Sequence, residues 1–338
     1  MKAIVCEQYG APDVLQLQQV EQAVPKDNEI LVKIHTTTVT SVDCRVRGLN
    51  TPKGFKLLMR LALGINRPRQ AILGSELAGT VAAIGANVSQ FQVGDPVFAF
   101  TDTRMGCYAE YICVPATGAV VRKPVNLSFA EAAALSFGGT TALYFLHKAN
   151  LQGGEKILIN GASGSVGTAV VQLAKHIGAE VTGVCSTANT ALVKSLGADH
   201  VIDYTQEDFT QQDETYHVIF DTTGRVSYAR SKPILRAGGR LVLVAASLPE
   251  MLAIPWVAMG GNRKIIAGAA FGDAKALHFL ANLALTGKYR PVIDRCFPFE
   301  QIVAAHRYVE SGRKRGNVVI TMPDCAVIPS GEAVFDGM

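Results

Sequence analysis

The sequence predicts an α/β protein of two units, one a doubly wound parallel sheet and the other a smaller β-rich domain of barrel type. Three observations predict it. The stretch Lys156 to Gly167, K-I-L-I-N-G-A-S-G-S-V-G, reads as an apolar strand, a glycine-rich turn and the start of a helix. From Glu155 onward, apolar strand-like runs alternate regularly with helical patterns, whereas Met1 to about Arg122 shows short strands and turns. The length, 338 residues, exceeds the usual size of a single hydrophobic core, so two domains are expected.

Composition narrows the class. Hydrophobic residues make up 49% and charged residues 18%, which suits a well-buried globular protein and excludes a disordered one. A formal net charge of +4 is small for this length, and clusters such as Arg313-Lys314-Arg315 read as solvated surface, so no nucleic-acid partner is expected. The first residues, M-K-A-I-V-C-E-Q-Y-G, hold too short an apolar run for a signal peptide, and no apolar stretch is long enough to span a bilayer. A cytoplasmic protein is expected. Seven cysteines (Cys6, Cys44, Cys107, Cys113, Cys185, Cys296, Cys325) are scattered without a C-x-x-C pair, the pattern of reduced thiols rather than of a structural zinc site.

In chain order, Glu29 to His35, Gly79 to Gly85 and Gly94 to Phe100 read as strands set off by turns. Between them, the segment Leu49 to Gln70 has helical spacing in its middle, as a flap would. Beyond Glu155 the candidate strands are 156–160, 180–184, 200–203, 217–221, 240–245 and 264–269, with helices over 166–176, 191–197 and 228–235. Six strands joined by crossovers make the Rossmann arrangement. Helical patterns over 274–286 and 299–311 and a strand-like 317–321 follow, then a tail rich in proline, glycine and acidic residues.

The spacing Ala162, Gly164, Gly167 matches the dinucleotide fingerprint G-x-G-x-x-G with alanine at its first position. A glycine-rich βα turn can be only a turn, but here a strand precedes it and a helix follows. The central glycine lets backbone N–H groups approach a pyrophosphate, and the last lets helix and strand pack closely. Ser163, Gly164, Ser165, Val166 and Gly167 are therefore the expected pyrophosphate cradle.

A longer pattern is more specific. Gly74-Ser-Glu76-Leu-Ala-Gly79-Thr-Val81, then Gly85, Val88, Val93-Gly94-Asp95 and Val97, the G-C-Y-A-E-Y of Gly106 to Tyr111 and the G-G-T-T-A of Gly138 to Ala142 resemble the medium-chain dehydrogenase/reductase superfamily in order and spacing. The resemblance implies a GroES-like β-barrel catalytic domain (1–123 and 271–322) interrupted by a Rossmann domain (124–270), with 323–338 as a tail. It also implies that Thr140, Thr222 and Gly224 of the Asp221-Thr-Thr-Gly224 turn, Val244-Ala245, Phe271 and Asn317 line the nicotinamide half of the cofactor. Pairing into a homodimer through the edge strand Lys264 to Ala270 is implied too, although an ordinary buried strand would read the same.

Zinc-dependent members of that superfamily carry ligands at positions matched here by Thr40, Ser75 and Ser136, and neutral hydroxyls are poor substitutes for thiolate and imidazole. The four-cysteine lobe for a second zinc is also missing. The chain thus resembles the zinc-free, quinone oxidoreductase-like branch. Reducing an isolated ketone requires a localised alkoxide to be stabilised, whereas a quinone or enone delocalises the charge into an enolate-like system that a few donors can serve. Thr40 and Ser75 are the candidate donors, each equally readable as a polar filler of the vacated metal space. Many quinone oxidoreductases have asparagine at the Thr40 position and tyrosine where Arg45 stands, which leaves the acceptor unnamed. Two alternatives remain: a zinc-type alcohol dehydrogenase, and a cofactor-binding interaction or regulatory protein without turnover.

NADPH is the expected cofactor. An NAD enzyme places an acid at the end of the second strand, and Cys185 occupies that slot. Ser186, Lys194 and Tyr204 are the expected contacts for the 2′-phosphate, and Ala188 stands where relatives often carry a basic residue.

Overall fold

In the computed structural model, which describes residues 1–52, 54–259 and 261–323, two sheets account for most of the strands. The six-stranded sheet is wholly parallel, in the order His200–Asp203, Glu180–Cys185, Lys156–Asn160, Tyr216–Asp221, Leu235–Leu243, Lys264–Ala267. That order reverses at the first strand, the Rossmann topology, and places a crevice at the carboxyl ends of the neighbouring strands Lys156–Asn160 and Tyr216–Asp221. Ile157, Leu158, Ile159, Val218, Ile219 and Phe220 are fully buried, as befits strands covered on both faces. One face packs against Val166, Ala169, Val170 and Leu173 of the fingerprint helix, and on the other Leu158, Ile219, Leu241 and Ile265 cluster with Phe209, Val226 and Ile234.

The second sheet is built around the long strand Glu29–Val39, which pairs antiparallel with Glu76–Ile84, Tyr111–Pro115 and Asn317–Thr321. The last partner comes from the end of the described chain, so this domain is assembled from both sides of the parallel sheet. The helix Ala274–Leu285 lies where the two sheets' elements meet: it packs on the strand Val120–Arg122 of this sheet, Leu280 packs against Gly139 of helix Ser136–Ala149, and Gln172 of the fingerprint helix bonds with the backbone of Arg290. The chain rejoins the second sheet at the strand Ile293–Pro298, which pairs parallel with Asn317–Thr321.

Several elements depart from the sequence reading. Ser41–Gly48, to which the sequence reading assigns no element, is a helix started by a reciprocal capping box between Thr40 and Asp43. The expected helix over 228–235 ends at Ser231, since Pro233 has no N–H to continue the hydrogen-bond ladder, although Lys232 before it keeps helical geometry, and Leu235 already begins a strand. Leu248–Met259 is a helix despite Pro255 and buries none of its residues, a pattern that gives no amphipathic signal. The helical spacing expected in the middle of Leu49 to Gln70 is met by the helix Lys56–Leu63. Lys264–Ala267 lies at the edge of the parallel sheet, shorter than expected because Gly268 turns away at φ +133°. Among the described residues no helix is long and apolar enough to cross a membrane. The tail after Pro323, with Cys325, lies outside the described residues.

Candidate active site

The fingerprint turn is held by backbone bonds. The N–H groups of Gly161 and Ala162 both donate to the Val184 carbonyl, and Gly164 N donates to Gly161 O at 3.1 Å. Gly161 has φ +81°, and a side chain there would strike Thr222 Oγ1 at 2.4 Å. The conformational role of a first fingerprint glycine therefore falls to Gly161, one residue before the buried Ala162 that the spacing marks. A Cβ on Gly167 would lie 2.1 Å from the Gly161 carbonyl oxygen, which explains the glycine at the close helix–strand approach. Gly164 differs: a Cβ there would meet no protein atom closer than 3.5 Å, so the open space in front of it is room for a ligand. Gly164 also N-caps the helix Ser165–Ile177 without any side-chain cap, leaving its first N–H groups for an anion. The residues present fit a dinucleotide pyrophosphate.

Neighbouring turns are latched to this one. Asn160 Nδ2 donates to Asp221 Oδ1 at 2.8 Å and to Thr223 Oγ1 at 3.0 Å, and Thr222 Oγ1 donates to the Asn160 carbonyl at 2.9 Å. Val244 N donates to Asp221 O, and Gly224, at φ +70°, brings its turn against the Ala245 carbonyl. From the opposite domain, Gly316 N donates to Ser163 O at 2.8 Å and Ser165 Oγ donates to Asn317 Oδ1 at 2.6 Å. Thr140 is buried and its hydroxyl returns to the Ser136 carbonyl at 2.7 Å. Phe271 is exposed.

At the adenosine end the structure corrects the reading of Cys185. Its side chain is 1% exposed and shares the core cluster of Ala162 and Val181, on the inner face of its strand, where burial pushes the thiol up to about 11. The residue that reaches the crevice is Ser186. Asn189, absent from the sequence reading, donates from one amide nitrogen to Ser163 Oγ at 3.1 Å and to Ser186 Oγ at 3.2 Å. Both serine hydroxyls act as acceptors there, which leaves both protons to donate elsewhere. Tyr204 is 56% exposed, with its N–H bonded to Cys185 O, and Lys194 is exposed on the helix Thr190–Ser195. The Asp203 carboxylate accepts from Thr187, Thr205 and Gln206.

Across the crevice lie the positions where zinc-dependent relatives would be expected to hold metal. Thr40 Oγ1 donates to Asp43 Oδ2 at 2.7 Å and accepts from Asp43 N, so its one proton is committed to the helix cap. Ser75 and Ser136 are buried, and neither hydroxyl has a partner. Three neutral hydroxyls do not fit zinc, and no group of three His, Cys, Asp or Glu side chains that could hold a metal occurs among the described residues. Glu76, fully buried next to Ser75, accepts from Thr38 Oγ1 with one oxygen and from Phe137 N with the other. Burial pushes its carboxyl up to about 7 and that of Asp43 to about 6, in each case against these local hydrogen bonds. Phe137 is followed by Gly138, where a Cβ would touch Ser165 Oγ at 2.7 Å. The acceptor side and the pyrophosphate cradle are thus joined through one turn of helix. Lys314, read from the sequence as surface, is instead partly buried between exposed Arg313 and Arg315 and donates to the Gly316 carbonyl at 2.6 Å.

A cavity of about 700 Å³ lined by residues such as Thr101, Met105 and Tyr111 contains none of the expected site residues.

Comparison with known proteins agrees with this architecture. Residues 26–125 match the alcohol dehydrogenase GroES-like domain family, and residues 196–320 match a family described as zinc-binding dehydrogenase. The chain is 34% identical to 2-methylene-furan-3-one reductase of Solanum lycopersicum, over 95% of its own length and 79% of the relative's. It is 31% identical to the chloroplastic NADPH-dependent alkenal/one oxidoreductase of Arabidopsis thaliana, with the same coverage of each chain, 95% and 79%. The solved quinone oxidoreductase of Coxiella burnetii superposes with a TM-score of 0.84 at 31% identity, covering 95% of this chain and 99% of that one. With its two domains, its fingerprint crevice and these relatives, the chain belongs to the medium-chain dehydrogenase/reductase family, in the quinone oxidoreductase-like branch.

Proposed function

We propose that this chain transfers hydride from NADPH to a quinone or an α,β-unsaturated carbonyl, with no metal at the acceptor. The observation that carries the reading is Ser75: a buried hydroxyl without a partner, at a zinc-ligand position, beside the cofactor crevice. When bound, the nicotinamide supplies the hydride. The chain's part is to receive the charge that the hydride pushes onto the acceptor oxygen. Ser75 has a free proton to donate to that oxygen, whereas Thr40 has spent its own on Asp43 and serves to position the helix Ser41–Gly48. Relatives named for furanone, alkenal/one and quinone substrates support a conjugated acceptor.

The preference for NADPH rests on Ser163 and Ser186, whose protons Asn189 leaves free for a 2′-phosphate, with Tyr204 as border and Lys194 as a more distant cation. The cofactor-domain boundaries, amended to return near Ile293, and a homodimer through the edge strand Lys264–Ala267 belong to the same reading. So does a cytoplasmic setting, which the six free cysteines among the described residues suit. The test is consumption of NADPH against a panel of quinones, enals and simple ketones, with and without a zinc chelator. Turnover of conjugated acceptors, untouched by the chelator, is expected. Activity restricted to simple ketones or alcohols and abolished by the chelator would replace this reading with the zinc-type one.

A further inference from the structure

Lys314 is the one member of the basic run 313–315 that is drawn inward, and its surroundings are specific. Its Nζ donates to the carbonyl of Gly316, the residue whose N–H bonds Ser163 O and which bridges Gly164 in the fingerprint turn. The ammonium is therefore tied to the strand that closes over the pyrophosphate cradle. An ammonium has three donors, and no ion pair engages Lys314 among the described residues. The charged and titratable groups that face it are Glu76 on the strand Glu76–Ile84, Asp294 on Ile293–Pro298 and Cys44 on Ser41–Gly48. Asp294 is already engaged, accepting from Tyr308 Oη at 2.6 Å and Arg315 N at 3.0 Å, and both oxygens of Glu76 are occupied. A partly buried cation beside an uncapped helix N-terminus is electrostatically unfavourable by itself, because both carry positive potential. An anion between them reverses the sign of both interactions.

We propose that Lys314 is the cation that neutralises the dinucleotide pyrophosphate, closing the cradle from the catalytic domain opposite the fingerprint helix. The inference rests on the dinucleotide reading above. It goes beyond that reading by assigning the ion pair to a residue outside both the fingerprint and the 2′-phosphate contacts. Because the pyrophosphate is common to NADPH and NADH, Lys314 serves both equally, unlike Ser186 and Asn189.

Desolvation holds the Lys314 ammonium down, to about 8, against the attraction of Glu76 and Asp294. A bound anion favours the charged form, so binding takes up a proton where free Lys314 is partly neutral, and affinity declines as pH rises through about 8. The experiment is titration of each cofactor by its fluorescence across that range, with wild type, Lys314→Met and Lys314→Arg. Lys314→Met is expected to weaken both cofactors on the order of tenfold near neutral pH, with their ratio unchanged and the pH dependence gone. Lys314→Arg, charged throughout, is expected to retain most of the affinity with a flat profile. Wild-type affinity in Lys314→Met, loss confined to NADPH, or a decline with pH that persists in both variants would overturn the inference. Wild type that binds neither cofactor would overturn the dinucleotide reading, and this inference with it.

Discussion

Replacing Ser75 by alanine separates catalysis from stability, because the two should move in opposite directions. In the free protein Ser75 Oγ is buried and makes no hydrogen bond, while the Ser75 carbonyl accepts from Thr101 N at 2.8 Å and from Thr101 Oγ1 at 3.2 Å. The substitution removes one oxygen and leaves those backbone bonds in place. A buried hydroxyl without a partner costs about 1–3 kcal/mol, so Ser75→Ala should be neutral or stabilise the fold by about 1 kcal/mol. If Ser75 donates to the developing oxyanion, kcat should fall by about 10²–10³-fold, corresponding to about 2.7–4 kcal/mol. Thr40→Ala should look different. It removes the N-cap of Ser41–Gly48 and the hydroxyl on Asp43, with a loss of stability of about 1 kcal/mol. The assays are steady-state consumption of NADPH with an enal, cofactor affinity by fluorescence, and urea unfolding. A Ser75→Ala enzyme that keeps kcat within threefold would refute the donor role. One that loses more than about 1 kcal/mol of stability would refute the unpaired hydroxyl.

Four further outcomes are expected. Ser186→Asp should turn preference toward NADH, since a carboxylate about 4 Å from a 2′-phosphate repels it by roughly 4 kcal/mol per unit charge at an effective dielectric near 20; Cys185→Asp should mainly destabilise, because Cys185 is 1% exposed in the core. The ratio of the two cofactors' dissociation constants and an unfolding curve check both. Glu76 carries a carboxyl raised to about 7 by burial, so the native state holds its proton more tightly than the unfolded chain does. Its contribution to stability is fully present below the ordinary glutamate range and is lost as pH rises through about 7, so wild type should lose stability relative to Glu76→Gln across that window in urea titrations. Arg47, fully buried, donates to Gly10 O at 2.8 Å and pairs with Glu310, so Arg47→Met should cost about 3 kcal/mol, partly recovered in the double variant with Glu310→Gln.

The sequence by itself determined the parallel sheet and the cradle. Both are local: a fully buried strand must read as an unbroken apolar run, and only glycine fits the helix position 167, where a Cβ would lie 2.1 Å from the Gly161 carbonyl oxygen. The same holds for the hydroxyls at 40 and 75, whose identities already exclude strong metal ligands. Tertiary structure decided what those groups are free to do. No spacing rule tells that Thr40 gives its proton to Asp43 while Ser75 keeps its own, because the difference lies in a capping box and in burial. Cys185 and Ser186 are adjacent in the chain, yet strand alternation sends one into the core and leaves the other at the crevice, and Asn189 reaches the fingerprint serine only through the turn after that strand. Lys314 looks like its arginine neighbours in the sequence. It becomes part of the site only because the strand Asn317–Thr321 returns across the chain to pair with Glu29–Val39, carrying Gly316 against Ser163 from some 150 residues away.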